Sequence, residues 1–185
     1  MSLDRPSFVG PSLDDIEILP RLPIAYTTFL ASRNGLVAFD GGLHVRGAVR
    51  DPAWHSIRST VEGPTAFHRL FTALTVTDIP FAQDALGDQF VLRDGTVHRL
   101  DAEADTLTAL DLDFDSFLHA VSADPVGFLR LQPLLNFQRQ GGKLTPGQLL
   151  SVYPPFLIDT STERDPIAPL QLPIGWRFSG LSLAR

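Results

Sequence analysis

The sequence predicts an α+β domain, and three observations carry that prediction. Apolar residues recur at helical spacing in two segments, Tyr26, Phe29 and Leu30, then Phe114, Phe117, Leu118 and Val121. Between these segments, Gln89–Arg93 and residues 96–100 flank Asp94-Gly95, a dipeptide that favours a two-residue β-hairpin. Helices precede a strand meander and a helix follows it, without the strand-by-strand alternation of a doubly wound sheet.

The elements follow in order. Residues 1–12 hold Pro6, Gly10 and Pro11 without a period and read as an irregular lead-in. Residues 13–19 form one or two helical turns, with Ser12 as cap and Asp14, Asp15 and Glu17 suited to the positive helix end. Pro23 sits in the first turn of the next helix, where proline is best tolerated. Tyr26, Phe29 and Leu30 make that helix's buried face, and Asn34-Gly35 closes it with a left-handed cap. Gly41-Gly42 leads into a short strand at Leu43–Val45. A helix is expected over 51–61 with Trp54, Ile57 and Val61 inward. Another is expected over 64–74, with Phe67, Leu70, Phe71 and Leu74 on one face. In the hairpin, Leu92 faces Val97 and Phe90 faces Arg99. Residues 107–112 add a strand, and Asp113 caps a helix that ends near Asp124-Pro125. Beyond residue 130, Gly141-Gly142, Pro146, Pro154-Pro155, Pro166, Pro169 and Pro173 interrupt the pattern and leave one short helix over 146–152. The chain thus divides into a core domain over 13–130 and an irregular, proline-rich C-terminal extension over 131–185 that packs on it.

The 185 residues are 44% hydrophobic and 19% charged, a globular composition. A domain of this length can bury roughly two thirds of its unfolded surface, so no disulfide or metal is needed to hold it. The absence of cysteine excludes a disulfide framework, a thiol nucleophile, iron–sulfur ligation and every cysteine-based zinc site. Met1-Ser2-Leu3-Asp4-Arg5-Pro6 has neither the basic nor the apolar region of a secretory signal, and no apolar run approaches the ~20 residues of a membrane helix. The expected compartment is the cytoplasm, with no membrane partner.

Charge is unevenly distributed. The formal net charge is −6, yet residues 101–124 carry seven acids and no Lys or Arg. Such a surface repels phosphate backbones, so nucleic acid is not an expected ligand, whereas a cationic protein is. Six of these seven acids, Asp101, Glu103, Asp105, Asp111, Asp113 and Asp115, form the candidate partner-binding surface.

Catalytic and cofactor motifs are wanting. The five histidines, His44, His55, His68, His98 and His119, are scattered, with no pair at metalloprotease spacing. Asp111-x-Asp113-x-Asp115 opens like a calcium loop, but Ser116 and Ser122 stand where the loop needs Gly and a bidentate Glu. Gly141-Gly142-Lys143 lacks the leading glycine and the hydroxyl residue of a phosphate loop, since Phe137 and Leu144 occupy those places. Ser179-Gly180-x-Ser182 lacks nucleophile-elbow spacing. Paired carboxylates over 101–115 leave a glycosidase-like pair open on residue types, with nothing to mark one as buried. No cofactor, metal or catalytic residue is expected.

Three stretches carry a resemblance. Residues 22–30, Leu-Pro-Ile-Ala-Tyr-Thr-Thr-Phe-Leu, followed by Asn34-Gly35, Gly41-Gly42-Leu43, and Ile79-Pro80-Phe81-Ala82 with Leu86-Gly87-Asp88-Gln89-Phe90, occur in that order before Asp94-Gly95 and Phe117-Leu118. In order and spacing they resemble the SUKH superfamily, the Smi/Knr-like proteins that include bacterial immunity proteins and fungal cell-wall regulators. The resemblance covers roughly residues 13–130. It implies a non-enzymatic single-domain α+β protein that binds and neutralises a cognate toxin. Tyr26, Phe29, Gly35, Gly87 and Asp88 are the motif positions. Tyr26 and Phe29 are expected in the core, Gly87 at a bulge or positive φ, and Asp88 satisfying backbone N–H groups in its turn. The alternative function is an intracellular scaffold or regulator of the Smi/Knr type with no toxin partner, and a carbohydrate- or small-molecule-directed enzyme ranks third.

Overall fold

The computed structural model of the chain describes residues 3–153 and 165–171. Seven strands form one antiparallel sheet in which spatial order equals chain order. They are β1 (Phe8–Val9), β2 (Leu36–Ala38), β3 (Leu43–Val45), β4 (Ile79–Asp84), β5 (Gln89–Arg93), β6 (Thr96–Asp101) and β7 (Thr106–Leu112). The α-helices are α1 (Ile24–Ser32), α2 (Arg58–Val61), α3 (Phe114–Ala123), α4 (Pro125–Phe128) and α5 (Gln132–Arg139). A separate antiparallel hairpin joins β8 (Gln148–Tyr153) to β9 (Asp165–Gln171). The α+β class is as the sequence predicts.

Both faces of the sheet are covered, and side-chain alternation sorts residues between them. Along β5, Phe90 and Leu92 join the main core while Val91 joins a second, smaller cluster on the other side. The main core lies beneath α1 and α3. There Phe117 meets Phe81, Phe90 and Phe128 with ring centroids 4.7–5.7 Å apart, and Tyr26 meets Phe81 and Phe114. The second face is covered by the long crossover between β3 and β4, which lays Phe67, Phe71 and Leu74 on Val91 and Leu100.

The hairpin register is as read: Leu92 pairs with Val97 and Phe90 with Arg99. Asp94 and Gly95 both take positive φ, 51° and 80°, which matches the twist of the flanking strands. Asp113 caps α3 by accepting a hydrogen bond from the Ser116 N–H at 2.8 Å. Helix α1 starts after Pro23 and ends at Ser32, with Arg33 extended rather than a left-handed cap. Gly35 is nevertheless constrained, at φ +77°, because a Cβ there would stand 2.6–2.7 Å from the His55 ring and the Val45 carbonyl.

Several expected elements differ. Residues 13–19 do not form capped α-helix; a 3-10 segment runs over Ile16–Arg21 with no side-chain cap. The helix read over 51–61 is only the single turn α2. Before it, Gly47 and residues 55–57 exchange backbone hydrogen bonds, which diverts that chain from helix, although Ile57 and Val61 are buried as expected and Trp54 is half-buried. The helix read over 64–74 reduces to a 3-10 turn at Phe67–Arg69. Its apolar face is real, but the N–H groups of Thr72, Ala73 and Thr75 donate to the carboxylates of Asp105 and Asp78 instead of to carbonyls one turn back. The short helix read over 146–152 is strand β8, and the extension contributes α5 besides. Residues 154–164 and 172–185 of that extension, including Pro154-Pro155, Pro173 and the Ser179-Gly180 segment, lie outside the described residues.

Phe29 is half-buried, not a full core residue, and touches Phe114 at 5.5 Å between centroids. Phe117→Ala is therefore expected to cost about 3–5 kcal/mol, and Phe29→Ala about half as much, in urea denaturation. Equal losses would show that Phe29 is as enclosed as Phe117.

Candidate functional site

The acids singled out by charge occupy the outer edge of the sheet. Strand β7 is the last of the seven and pairs only with β6 among the described residues. At one end of it Asp101 closes β6 and Glu103 and Asp105 lie in the β6–β7 turn; at the other, Asp111 lies late in β7, Asp113 caps α3 and Asp115 is in its first turn. At ~3.3 Å per residue the two groups stand about 20 Å apart. The structure thus splits the expected single surface into two acidic ends of one exposed strand.

Within those groups the side chains do different work. The Asp101 carboxylate accepts from the Glu103 and Ala104 N–H groups and shapes the turn. Asp105 reaches across to the crossover and accepts from the Thr72 N–H, the Thr72 hydroxyl and the Ala73 N–H at 2.7–3.2 Å. Burial works to raise its pKa, but these hydrogen bonds outweigh it and hold the carboxyl below its ordinary value. Asp105 is therefore a staple between turn and crossover. Asp111 and Asp115 are exposed and make no ion pair among the described residues. Asp111 has φ +55° and lies in a bulge: β6 runs directly from Val97 to His98, while their partners in β7, Leu112 and Ala109, are three residues apart.

The glycine and aspartate of the central motif sit at the same end as the β6–β7 turn. Gly87 takes φ +99° as expected. The residue that satisfies its turn is Asp84, not Asp88: one Asp84 carboxylate oxygen accepts from the Leu86, Gly87 and Asp88 N–H groups at 2.9–3.1 Å. Asp88 accepts instead from the Ala102 N–H, tying the β4–β5 turn to the β6–β7 turn, and lies 3.7 Å from Arg130. Asp84 is 1% exposed and its second oxygen has no hydrogen-bond partner among the described residues. Burial, then the charge of Asp88, pushes its carboxyl well up from the ordinary range. Only the alternation of a strand ending in Asp before Ala-Leu-Gly could have flagged this residue.

The second face of the sheet hides a polar group that charge and motif reading pass over. His55 donates from Nε2 to the Asn34 carbonyl at 3.0 Å, so its Nδ1 is an acceptor, and His44 Nε2 donates to it at 2.8 Å. That chain leaves His44 Nδ1 as a bare lone pair with no partner among the described residues. Beside them the Arg46 guanidinium donates to the Pro80 carbonyl and to the side-chain oxygens of Gln83 and Gln89 at 2.7–2.8 Å, and its cation lies 5.3 Å from the Phe67 ring centre. Burial first, then the charge of Arg46, lowers both histidines, His55 to about 4 against a partly offsetting bond to Asn34. The imidazoles are buried beside Trp54 and Phe8, where their hydrogen bonds hold the fold together. Among the described residues no cluster of His, Asp and Glu could hold a metal ion.

No family model, no curated protein and no solved structure matches this chain.

Two expectations follow from these contacts. Asp105→Ala lowers stability by about 1–3 kcal/mol, because it strips three crossover donors of their acceptor, while Asp111→Asn is neutral within about 0.5 kcal/mol. Equal denaturation midpoints for the two variants would remove the staple. The second concerns pH. The histidines have folded pKa values below their unfolded ~6.5, so their contribution is present above that value and is lost as pH falls toward the folded pKa. Asp84 has a raised folded pKa, so its contribution has the opposite sign, being present at low pH and lost as pH rises. Between pH 7 and 5 the two oppose each other. Asp84→Asn removes one side, and urea midpoints from pH 7 to 5 should then fall more steeply than in the wild type; parallel profiles would contradict the assignment.

Proposed function

We propose that this protein is a non-enzymatic immunity protein that binds and neutralises a basic protein toxin inside the cell, in the manner of the SUKH proteins its motifs resemble. The observation that carries the reading is the exposed edge of the sheet, where Asp111 and Asp115 make no ion pair among the described residues and lie in a stretch with no Lys or Arg. An electronegative edge speeds the approach of a cationic partner and discriminates against acidic ones. The inward histidines, arginine and glutamines are engaged in hydrogen bonds within the fold, so the reading rests on the charged surface.

Two experiments bear on this. The tagged chain recovers its partner from extracts of its own source, and the recovered protein is expressed alone and together with this chain. The expected outcome is growth arrest by the partner alone and relief on co-expression; a partner harmless by itself would favour the scaffold reading instead. Stopped-flow association then compares wild type with the double variant Asp111→Asn and Asp115→Asn. Association should slow severalfold at low salt, with the difference shrinking as salt shortens the Debye length to ~8 Å and below. Asn is chosen because it tolerates the left-handed backbone at Asp111. Identical rates at low salt would place the interface elsewhere.

A further inference from the structure

We infer that β7 accepts a basic extended segment of the partner as an eighth, edge-added strand. This inference rests on the binding reading above and specifies its geometry. The Asp94-Gly95 turn makes Arg93 and Thr96 a hydrogen-bonded pair, so alternation points the backbone groups of His98 and Leu100 toward β5 and those of Arg99 and Asp101 toward β7. Thr108 and Thr106, their partners in β7, thus face inward, and Leu107 and Ala109 turn their N–H and C=O groups to the edge that no described strand pairs. The side chains of Thr106, Thr108 and Ala109 are exposed, so no bulky group of the strand itself shields that row. The opposite edge of the sheet, β1, is only two residues long and offers no comparable template.

Charge decides which strand can use this edge. A row of unpaired backbone groups is a general template for any extended chain. Here one end of it is bracketed by the Asp101–Asp105 turn and the other by Asp111, Asp113 and Asp115. A second copy pairing antiparallel through its own β7 would bring each acidic end against the other, and like charges facing across strands are destabilising. The bulge at Asp111 further ends regular pairing on that side. A segment with Lys or Arg toward its ends meets opposite charge at both and completes the ladder between them. Backbone pairing supplies affinity and the flanking charges supply selection.

The test uses the full chain and three blocked decapeptides: alternating Lys and Val, the same sequence N-methylated at every residue, and alternating Glu and Val. Amide hydrogen exchange at Leu107 and Ala109 is read by NMR. The Lys–Val peptide should slow both amides at least tenfold, less so in the Asp111→Asn, Asp115→Asn variant, and the methylated and acidic peptides should leave them unchanged. No slowing by the Lys–Val peptide overturns the inference. So does an equal effect of the methylated peptide, which would show charge attraction without strand pairing. Protection already present without peptide also overturns it: if independent of protein concentration, the chain's own residues cover the edge, and if concentration-dependent, a second copy does. Any of these results leaves the growth-rescue experiment free to support or reject the immunity reading by itself.

Discussion

A cation buried without a carboxylate governs how the second face of this sheet is built. Arg46 is 3% exposed, and burial lowers its pKa to about 10, so it remains charged at neutral pH. Removing such a charge from water is costly unless every donor is met. The Pro80 carbonyl and the amide oxygens of Gln83 and Gln89 meet it, and the face of Phe67 covers it. Those partners come from β4, β5 and the crossover, so satisfying one guanidinium fixes the relative placement of three segments. The Arg46 backbone carbonyl also accepts from the buried Tyr26 hydroxyl at 2.7 Å, which extends the constraint through the sheet to α1. The same positive charge helps keep His44 and His55 neutral, so the hydrogen-bonded chain from Asn34 through both imidazoles depends on it as well.

Among the ion pairs that secure the crossover, Arg58–Asp15 and Arg93–Asp78 engage both carboxylate oxygens. Arg58 grips both oxygens of Asp15 at 2.6 and 2.7 Å, joining the N-terminal 3-10 segment to α2, and Asp15 is fully buried. Arg93 does the same to Asp78 at 2.6 and 2.8 Å and also donates to the Ala73 carbonyl, joining the end of the crossover to the hairpin. With Asp105 holding Thr72 and Ala73 from the far side, the crossover is laid down by long-range polar contacts more than by its own regular structure. The acidic edge is therefore not independent of the interior: Asp105 ties it to the crossover, while Asp101 and Asp113 shape the turn and the helix start at its two ends.

What could be read in the sequence was what is local. Asp94-Gly95 dictates its turn and hence the register of two strands, and Asp113 caps the helix whose apolar spacing follows it. The crossover defeated such reading because Phe67, Phe71 and Leu74 have helical spacing, while the acceptors that divert their neighbours' N–H groups are side chains, the local Asp78 for Thr75 and the distant Asp105 for Thr72 and Ala73. Strand β2 is three consecutive buried apolar residues, too short to show a period. At the candidate site, the acids were legible as charge but not as two separated ends, the burial of Asp84 was hinted at only by its place at a strand end before Ala-Leu-Gly, and Arg46 carries no local sign that it is buried. Gly35 was legible as a special position for a reason that the structure changes, from capping a helix to making room for the His55 ring.

The equality of spatial and chain order in the sheet has a kinetic consequence. From β4 to β7 every connection is a tight turn, so residues 79–112 can zip together through contacts near in sequence. Joining β3 to β4 instead means closing the loop 46–78, which costs about 2 kcal/mol more chain entropy than closing a four-residue turn. Strands β4–β7 thus offer the natural nucleus, with β1–β3 and the crossover condensing onto it afterwards. During that interval the strand that ends the sheet is already in place while β4 lacks its neighbour. The growing intermediate therefore has one temporary edge, which its own chain will cover, and one edge that no described strand covers, flanked by negative charge that disfavours pairing with other unfinished copies of itself.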